Sequence, residues 1–192
     1  MSELTPRMFE RVAAQLIIDE AIMLKPYYCT EDKLTIGVGR NLEGKGLNWG
    51  EMISLIKLNP ERKARFPQDY ETLDGETLLM ALIRDMKING ITRDEAMMLL
   101  KNDIQECEAD LRRRLKWYDR APEDLREVLL NMCFNMGIGN SKKGLLSFKN
   151  TLWYMGTGEY EKAAENMLKS KWARQVKEGR ARRLAERVRA LA

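Results

Sequence analysis

The stretch ITRDEAMMLLKNDIQECEADLRRRL, residues 91–115, decides how the rest of the chain is read. Thr92 and Glu95 have the spacing of a capping box, in which the Thr side chain bonds the N3 backbone N–H and the Glu side chain reaches back to the cap's own N–H. The sequence therefore predicts a helix starting at 92 and running to about 115. It is long, strongly charged and short of apolar stretches, which suits a helix that bridges two lobes rather than one buried in a core.

Working back toward the N-terminus, Thr5-Pro6 reads as a helix start, with Thr as N-cap and Pro in the first helical position. Phe9, Val12, Ala13, Leu16, Ile17, Ala21 and Leu24 mark one apolar face, and Pro26 is expected to end this helix, which spans 6–25. Residues 27–40, rich in Tyr, Thr, Ile, Val and Gly, read as a small hairpin turning near 30–33. Between 41 and 90 the pattern is weaker: 52–58 and 77–86 look helical, with Pro60 and Pro67 breaking the region between them. Toward the C-terminus, Pro122 opens a helix whose stripe is Leu125, Val128, Leu129, Met132, Cys133 and Met136, closed by Gly137. Helices near 148–154, 160–172 and 181–191 follow. The prediction is a mostly helical α+β domain over 1–192: a hairpin-bearing N-lobe at about 16–91, a bridging helix at 92–115 and an all-α C-lobe at about 116–192.

Composition narrows the chemistry. The chain has 192 residues with 44% hydrophobic and 32% charged content, and it contains no histidine. That removes Ser-His-Asp and Cys-His dyads, HExxH zinc sites and histidine bases. The cysteines at 29, 107 and 133 are too far apart for CxxC motifs, and an odd count points to free thiols. No metal ligand set and no cofactor is expected. The twelve methionines read as core filler. Residues 169–189 carry nine Lys or Arg against two Glu, a net +7, so the remainder of this +4 chain stands at −3. Such a segment could steer the protein toward anionic partners.

Two local features can carry chemistry. On a helical wheel, Glu20 falls amid Phe9, Val12, Ala13, Leu16 and Leu24. A carboxylate buried there favours its protonated form, as a general acid requires; the alternative is a terminal or ion-paired side chain that escapes to water. In the hairpin, Thr35, Gly37 and Gly39 share a face opposite Leu34, Ile36 and Val38. The glycines either leave a bare shelf where a ligand meets the threonine hydroxyl, or serve only tight turning.

Spacing joins these features. Glu20, eight residues, Cys29, five residues and Thr35 resembles the Glu-x8-Asp/Cys-x5-Thr triad of phage lysozymes, glycoside hydrolase family 24. Ile18-Asp19-Glu20-Ala21, Thr35-Ile36-Gly37-Val38-Gly39, Gly90-Ile91-Thr92-Arg93-Asp94-Glu95-Ala96, Asn131-Met132-Cys133-Phe134-Asn135-Met136-Gly137 and Lys169-Ser170-Lys171-Trp172 are similar to that family's segments in the same order. The resemblance implies a lysozyme-like fold and a muramidase that cleaves the β-1,4 bond between N-acetylmuramic acid and N-acetylglucosamine in peptidoglycan. It implies Glu20 as general acid, Thr35 positioning the attacking water, and Arg180 pairing with Glu20 with Asn131 behind it. Phe134, Asn135, Thr151 and Asn166 would line the substrate cleft, although Phe134 could instead pack under the bridging helix. Position 29 holds a thiol where two-carboxylate glycosidases place their second group, so Cys29 is a base, a nucleophile or a small structural thiol.

The chain departs from the family at 41–90, where nothing aligns, and at Arg40, which replaces a histidine. The implied biology is a monomeric endolysin without a signal peptide, held in the host cytoplasm until a holin admits it to the wall. Its partners would be peptidoglycan strands, with anionic outer-membrane or wall polymers as a further target of the basic segment. A virion-associated muramidase and a non-catalytic glycan-binding protein are the alternatives. A nucleic-acid binder is not expected, because it leaves the Glu20–Thr35 spacing unexplained.

Overall fold

The computed structural model describes residues 4–176 and 179–192. In chain order the elements are α1 (Pro6–Glu20), β1 (Met23–Tyr28), β2 (Leu34–Gly37), β3 (Arg40–Asn41), α2 (Trp49–Lys57), α3 (Pro60–Arg65), α4 (Gly75–Asn89), α5 (Arg93–Arg114), α6 (Glu123–Met136), α7 (Lys149–Thr157), α8 (Tyr160–Lys169), α9 (Lys171–Gln175) and α10 (Arg180–Arg189), with short 3₁₀ turns between some of them. The fold is α+β and mostly helical, its one sheet antiparallel in the order β1-β2-β3 among the described residues. Contacts divide the chain into two compact units. One is 20–101; the other joins the residues up to 19 with 102–192.

In the unit 20–101, β1 and β2 form the expected hairpin, with Tyr27 opposite Thr35 and Tyr28 opposite Leu34. The sequence reading extended α1 too far. The helix stops at Glu20, Ala21 takes a left-handed φ of +65°, and Pro26 lies inside β1 instead of ending a helix. Proline is tolerated there because β1 is an edge strand whose pairing is irregular between Met23 and Tyr27, so the missing N–H costs the ladder little. Pro60 likewise opens α3 rather than breaking a helix, with Asn59 capping the N–H of Arg62. Leu34, Ile36, Leu42, Leu55, Leu78, Leu82, Met86, Ala96 and Leu99 make up much of this unit's core. The segment 41–90, whose sequence pattern was the hardest to read, supplies most of it.

A buried arginine organises that core. Arg62 is fully buried and donates from Nε to Asp85 (2.8 Å), from Nη1 to the Leu55 carbonyl (2.9 Å) and to Glu95, and from Nη2 to the Gly90 carbonyl (2.7 Å). Four elements therefore meet on one side chain. Glu95 also closes the predicted capping box, accepting from the N–H of Thr92 while Thr92 Oγ1 accepts from its own N–H. Arg40 is a second such anchor: it is buried in a bidentate pair with Glu51 of α2 at 2.6 and 3.0 Å. The histidine-to-arginine departure thus serves the interior of this unit, not its surface.

In the other unit α6 is the central helix. The expected stripe is too narrow a description, because every residue from Leu125 to Cys133 is buried. Gly137 closes α6 with φ +71°. The helix expected over 160–172 is two helices, since Ser170 ends α8 and caps α9 through the N–H of Ala173. In α10 the predicted stripe packs inward through Leu184 and Val188, joined by Ala181 and Ala185, while Leu191 is half-buried. The basic segment is less free than its composition suggested. Arg183 pairs with Asp19, Arg187 with Asp124 and Glu127, and Arg189 with Glu161. At the end of α5, Arg112 is also tied down, to Glu108 and Asp119.

Replacing Arg62 by Met strands two buried carboxylates, and urea unfolding is expected to show a loss of about 3–5 kcal/mol. Burial disfavours the charged form of Asp85, but hydrogen bonds from Arg65, Arg62 and Asn89 outweigh it and hold the carboxylate below its usual range. A carboxylate lowered in the folded state stabilises above the unfolded value and loses that contribution as pH falls through the folded one. Wild-type stability should therefore drop below about pH 4, and an Asp85→Asn variant should show a shallower drop.

Candidate active site

The hairpin gathers the residues expected to carry chemistry in the unit 20–101. Glu20 is half-buried at the last position of α1, where the strained Ala21 turns the chain into β1. The wheel had placed Glu20 on the apolar face, but the carboxylate that α1 buries is its neighbour Asp19, together with Met8, Val12, Ala13 and Leu16. Stopping the helix at Glu20 leaves that side chain at a turn instead of inside an apolar stripe.

Cys29 opens the β1–β2 turn. Its backbone N–H donates to the Lys33 carbonyl at 3.0 Å, and its carbonyl accepts from Asp32 at 2.9 Å. The turn aims backbone N–H groups at the sulfur. Hydrogen bonds from Lys33 and then Glu31 hold the thiol below its ordinary value against slight desolvation, and the Thr35 hydroxyl adds a smaller contribution. Thr35 is buried and its Oγ1 also donates to the Lys33 carbonyl at 2.9 Å. One hydroxyl proton thus has two acceptors, the carbonyl and the sulfur. Stabilisation of this kind raises the fraction present as thiolate near neutral pH, the form that can act as base or nucleophile.

Tyr27, the cross-strand partner of Thr35, belongs to the same group. Burial first, and then the charges of Glu20 and Cys29, push its phenol upward, so it stays a neutral hydrogen-bonding group beside both. Sequence reasoning placed residue 27 at the start of the hairpin without giving it a role. The pairing register is what marks it, since Tyr27 lies opposite Thr35 and two residues before Cys29.

At Gly37 the expected shelf is not open. Gly37 has φ +64°, and a Cβ built on it would touch Ala96 at 3.7 Å, so this glycine serves turning and packing against α5. Gly90 is the more demanding position. Its φ is +73°, and a Cβ there would stand 2.6 Å from the Leu24 carbonyl, which accepts from the N–H of Ile91.

The remaining candidates lie in the other unit. Arg180 is buried and donates from Nε to Asn131 Oδ1 (3.0 Å), with Asp19 at 3.4 Å, and Asn131 donates in turn to Asp19 (2.9 Å). The Asn131–Arg180 association foreseen from sequence is present, and the carboxylate that completes it within this unit, Asp19, was overlooked. Thr151 and Asn166 line a cleft of about 750 Å³ whose walls include Phe148 and Trp172, packed edge to face at 6.1 Å. Asn135 touches this wall as the acceptor of Trp172 Nε1 (2.8 Å). Phe134 is half-buried on α6 and is not part of the cleft's lining. Among the described residues no group of three His, Cys, Asp or Glu is placed to hold a metal ion.

The model of the phage lysozyme family matches residues 18–190, a span that takes in Glu20, the hairpin, α5 and every candidate above. The chain belongs to the phage lysozyme family. It is also similar to the pre-baseplate central spike protein Gp5 of Enterobacteria phage T4, with 31% identity over 180 residues. That match takes in 90% of this chain but 26% of Gp5, so the chain spans about a quarter of that relative's length. Membership agrees with the lysozyme-like α+β fold described above.

Ultraviolet titration of the thiolate should give a midpoint for Cys29, taken as the difference from Cys29→Ser, below about 8.5. Thr35→Val is expected to move it upward. Ala21→Gly should relieve the left-handed strain and raise stability by about 0.5–1 kcal/mol in thermal unfolding.

Proposed function

We propose that this protein is a muramidase of glycoside hydrolase family 24 that cleaves the β-1,4 bond between N-acetylmuramic acid and N-acetylglucosamine. The observation that carries the reading is the grouping of Glu20, Tyr27, Cys29 and Thr35 on one helix end and one hairpin, in a phage lysozyme chain. Glu20 protonates the glycosidic oxygen as its bond to the anomeric carbon breaks. Cys29, held toward its thiolate by the turn's N–H groups, takes the proton of the attacking water, and Thr35 orients that water. Arg180 and Asn131 support the site. Phe134, Asn135, Thr151 and Asn166 contact the glycan strand, aromatic edges against sugar rings and amides against acetamido groups.

The biological role that fits is host lysis: an endolysin that accumulates in the host cytoplasm and acts on the wall after holin-mediated release. A second reading has its own support. It is a virion-associated muramidase that opens the wall during entry, and the likeness to a central spike protein is what supports it.

The test is clearing of permeabilised Gram-negative cells, with reducing-end release from purified peptidoglycan measured in parallel. Glu20→Gln should lose about a hundredfold or more while keeping the wild-type circular dichroism spectrum. Cys29→Ala should lose about as much, and Cys29→Asp should retain more than Cys29→Ala. Full activity in Cys29→Ala would leave that thiol structural; wild-type activity in Glu20→Gln would overturn the mechanism.

A further inference from the structure

Away from the hairpin, the unit 20–101 presents an apolar surface that its own elements leave open. Met80 and Ile88 lie about two turns apart on α4, and each is 66% exposed. Single exposed hydrophobics are ordinary, but a contiguous patch marks an interaction site. These two are contiguous. Both line a cavity of about 540 Å³ with Phe66, Pro67 and Ala81, and both line an adjoining one of about 430 Å³ that reaches Ile83. Met80, Arg84 and Ile88 are common to the two cavities, which therefore form one groove along α4. Phe66 and Ile83 anchor it, half-buried against the core of this unit.

The charge left available around the groove has one sign. Asp85 is the only acidic residue of its lining, and Arg62, Arg65 and Asn89 already hold that carboxylate. Arg84 and Lys87 are exposed and have no ion pair among the described residues. An occupant bearing carboxylates meets both cations, whereas a basic one is repelled. The backbone then decides the occupant's conformation. Residues 80–88 lie inside α4, whose peptide groups bond one another along the helix. This wall offers no strand edge, so a segment entering the groove must satisfy its own backbone, as a helix does. The concave form also sets the groove apart from a bilayer contact, in which an apolar face lies on a lipid surface.

We infer that this groove docks an acidic amphipathic helix of a partner protein, its apolar stripe against Phe66, Met80 and Ile88 and its carboxylates against Arg84 and Lys87. From Met80 to Ile88 the helix rises about 12 Å, the span over which a partner helix presents apolar residues at i, i+4 and i+7. Apolar contact at the centre with charge at the rim is the ordinary anatomy of a protein interface. The inference is independent of the muramidase reading, because it uses none of Glu20, Cys29 and Thr35.

The experiment titrates the ¹⁵N-labelled full chain with a synthetic helical peptide that carries leucines at i, i+4 and i+7, glutamates flanking them and alanines elsewhere. One control peptide replaces the glutamates by lysines, and a further arm uses vesicles of phosphatidylcholine and phosphatidylglycerol. With the acidic peptide, saturable amide shifts at 65–67 and 77–89 are expected, weakening as salt is added; the lysine peptide and the vesicles should leave these amides unmoved. Arg84→Glu and Ile88→Ser should each raise Kd about tenfold while keeping the wild-type circular dichroism spectrum, since both side chains are exposed. Absence of these shifts with the acidic peptide, equal affinity for the lysine peptide, or an unchanged Kd in both variants would overturn the proposal. Shifts at the same amides with vesicles in place of the acidic peptide would give the groove to a lipid surface and overturn it equally.

Discussion

A guanidinium cannot be left in an apolar interior without partners, and Arg62 meets that constraint by drawing four elements together. Its hydrogen bonds reach α2 through the Leu55 carbonyl, α4 through Asp85, the turn after α4 through the Gly90 carbonyl and the start of α5 through Glu95. The consequence extends to the hairpin. The turn so held packs Gly90 against the Leu24 carbonyl, and the N–H of Ile91 bonds that same oxygen at 2.7 Å. β1 is thereby fixed along its backbone, and β1 sets the register that brings Tyr27, Cys29 and Thr35 together. A network of buried charge at 55–95 thus positions, at one remove, the residues proposed to act on substrate.

The other unit repeats the device with a different cast. Asp19 is the buried acceptor, and Asn131, Arg180 and Arg183 converge on it. Arg187 and Arg11 converge in the same way on Glu127 of the central helix. Much of the basic C-terminal segment is therefore spent inside its own unit.

The sequence made several elements legible because their signals are local. Thr92 and Glu95 announce a capping box from four consecutive residues, Thr5-Pro6 marks the first turn of α1, and alternation over 34–38 marks a strand. The spacing from Glu20 through Cys29 to Thr35 identified the candidate site because family members share it as a linear pattern. Errors arose where a local rule met a tertiary contact. Pro26 looks like a helix stop, yet it tolerates an edge strand because the irregular pairing there needs no N–H. The wheel favoured Glu20 for burial, but the helix ends there, so Asp19 takes the buried position.

The order of helices, the hairpin, the absence of histidine chemistry and the triad spacing were determined by sequence alone, because each depends on residues near in the chain or on composition. Tertiary structure decided what no spacing encodes. Arg62, Arg40 and Asp19 are read from sequence as ordinary surface charges; they are buried because carboxylates and carbonyls from distant segments arrive to satisfy them. Desolvation and partnership are decided by the fold, and in this protein they decide which charges hold it together.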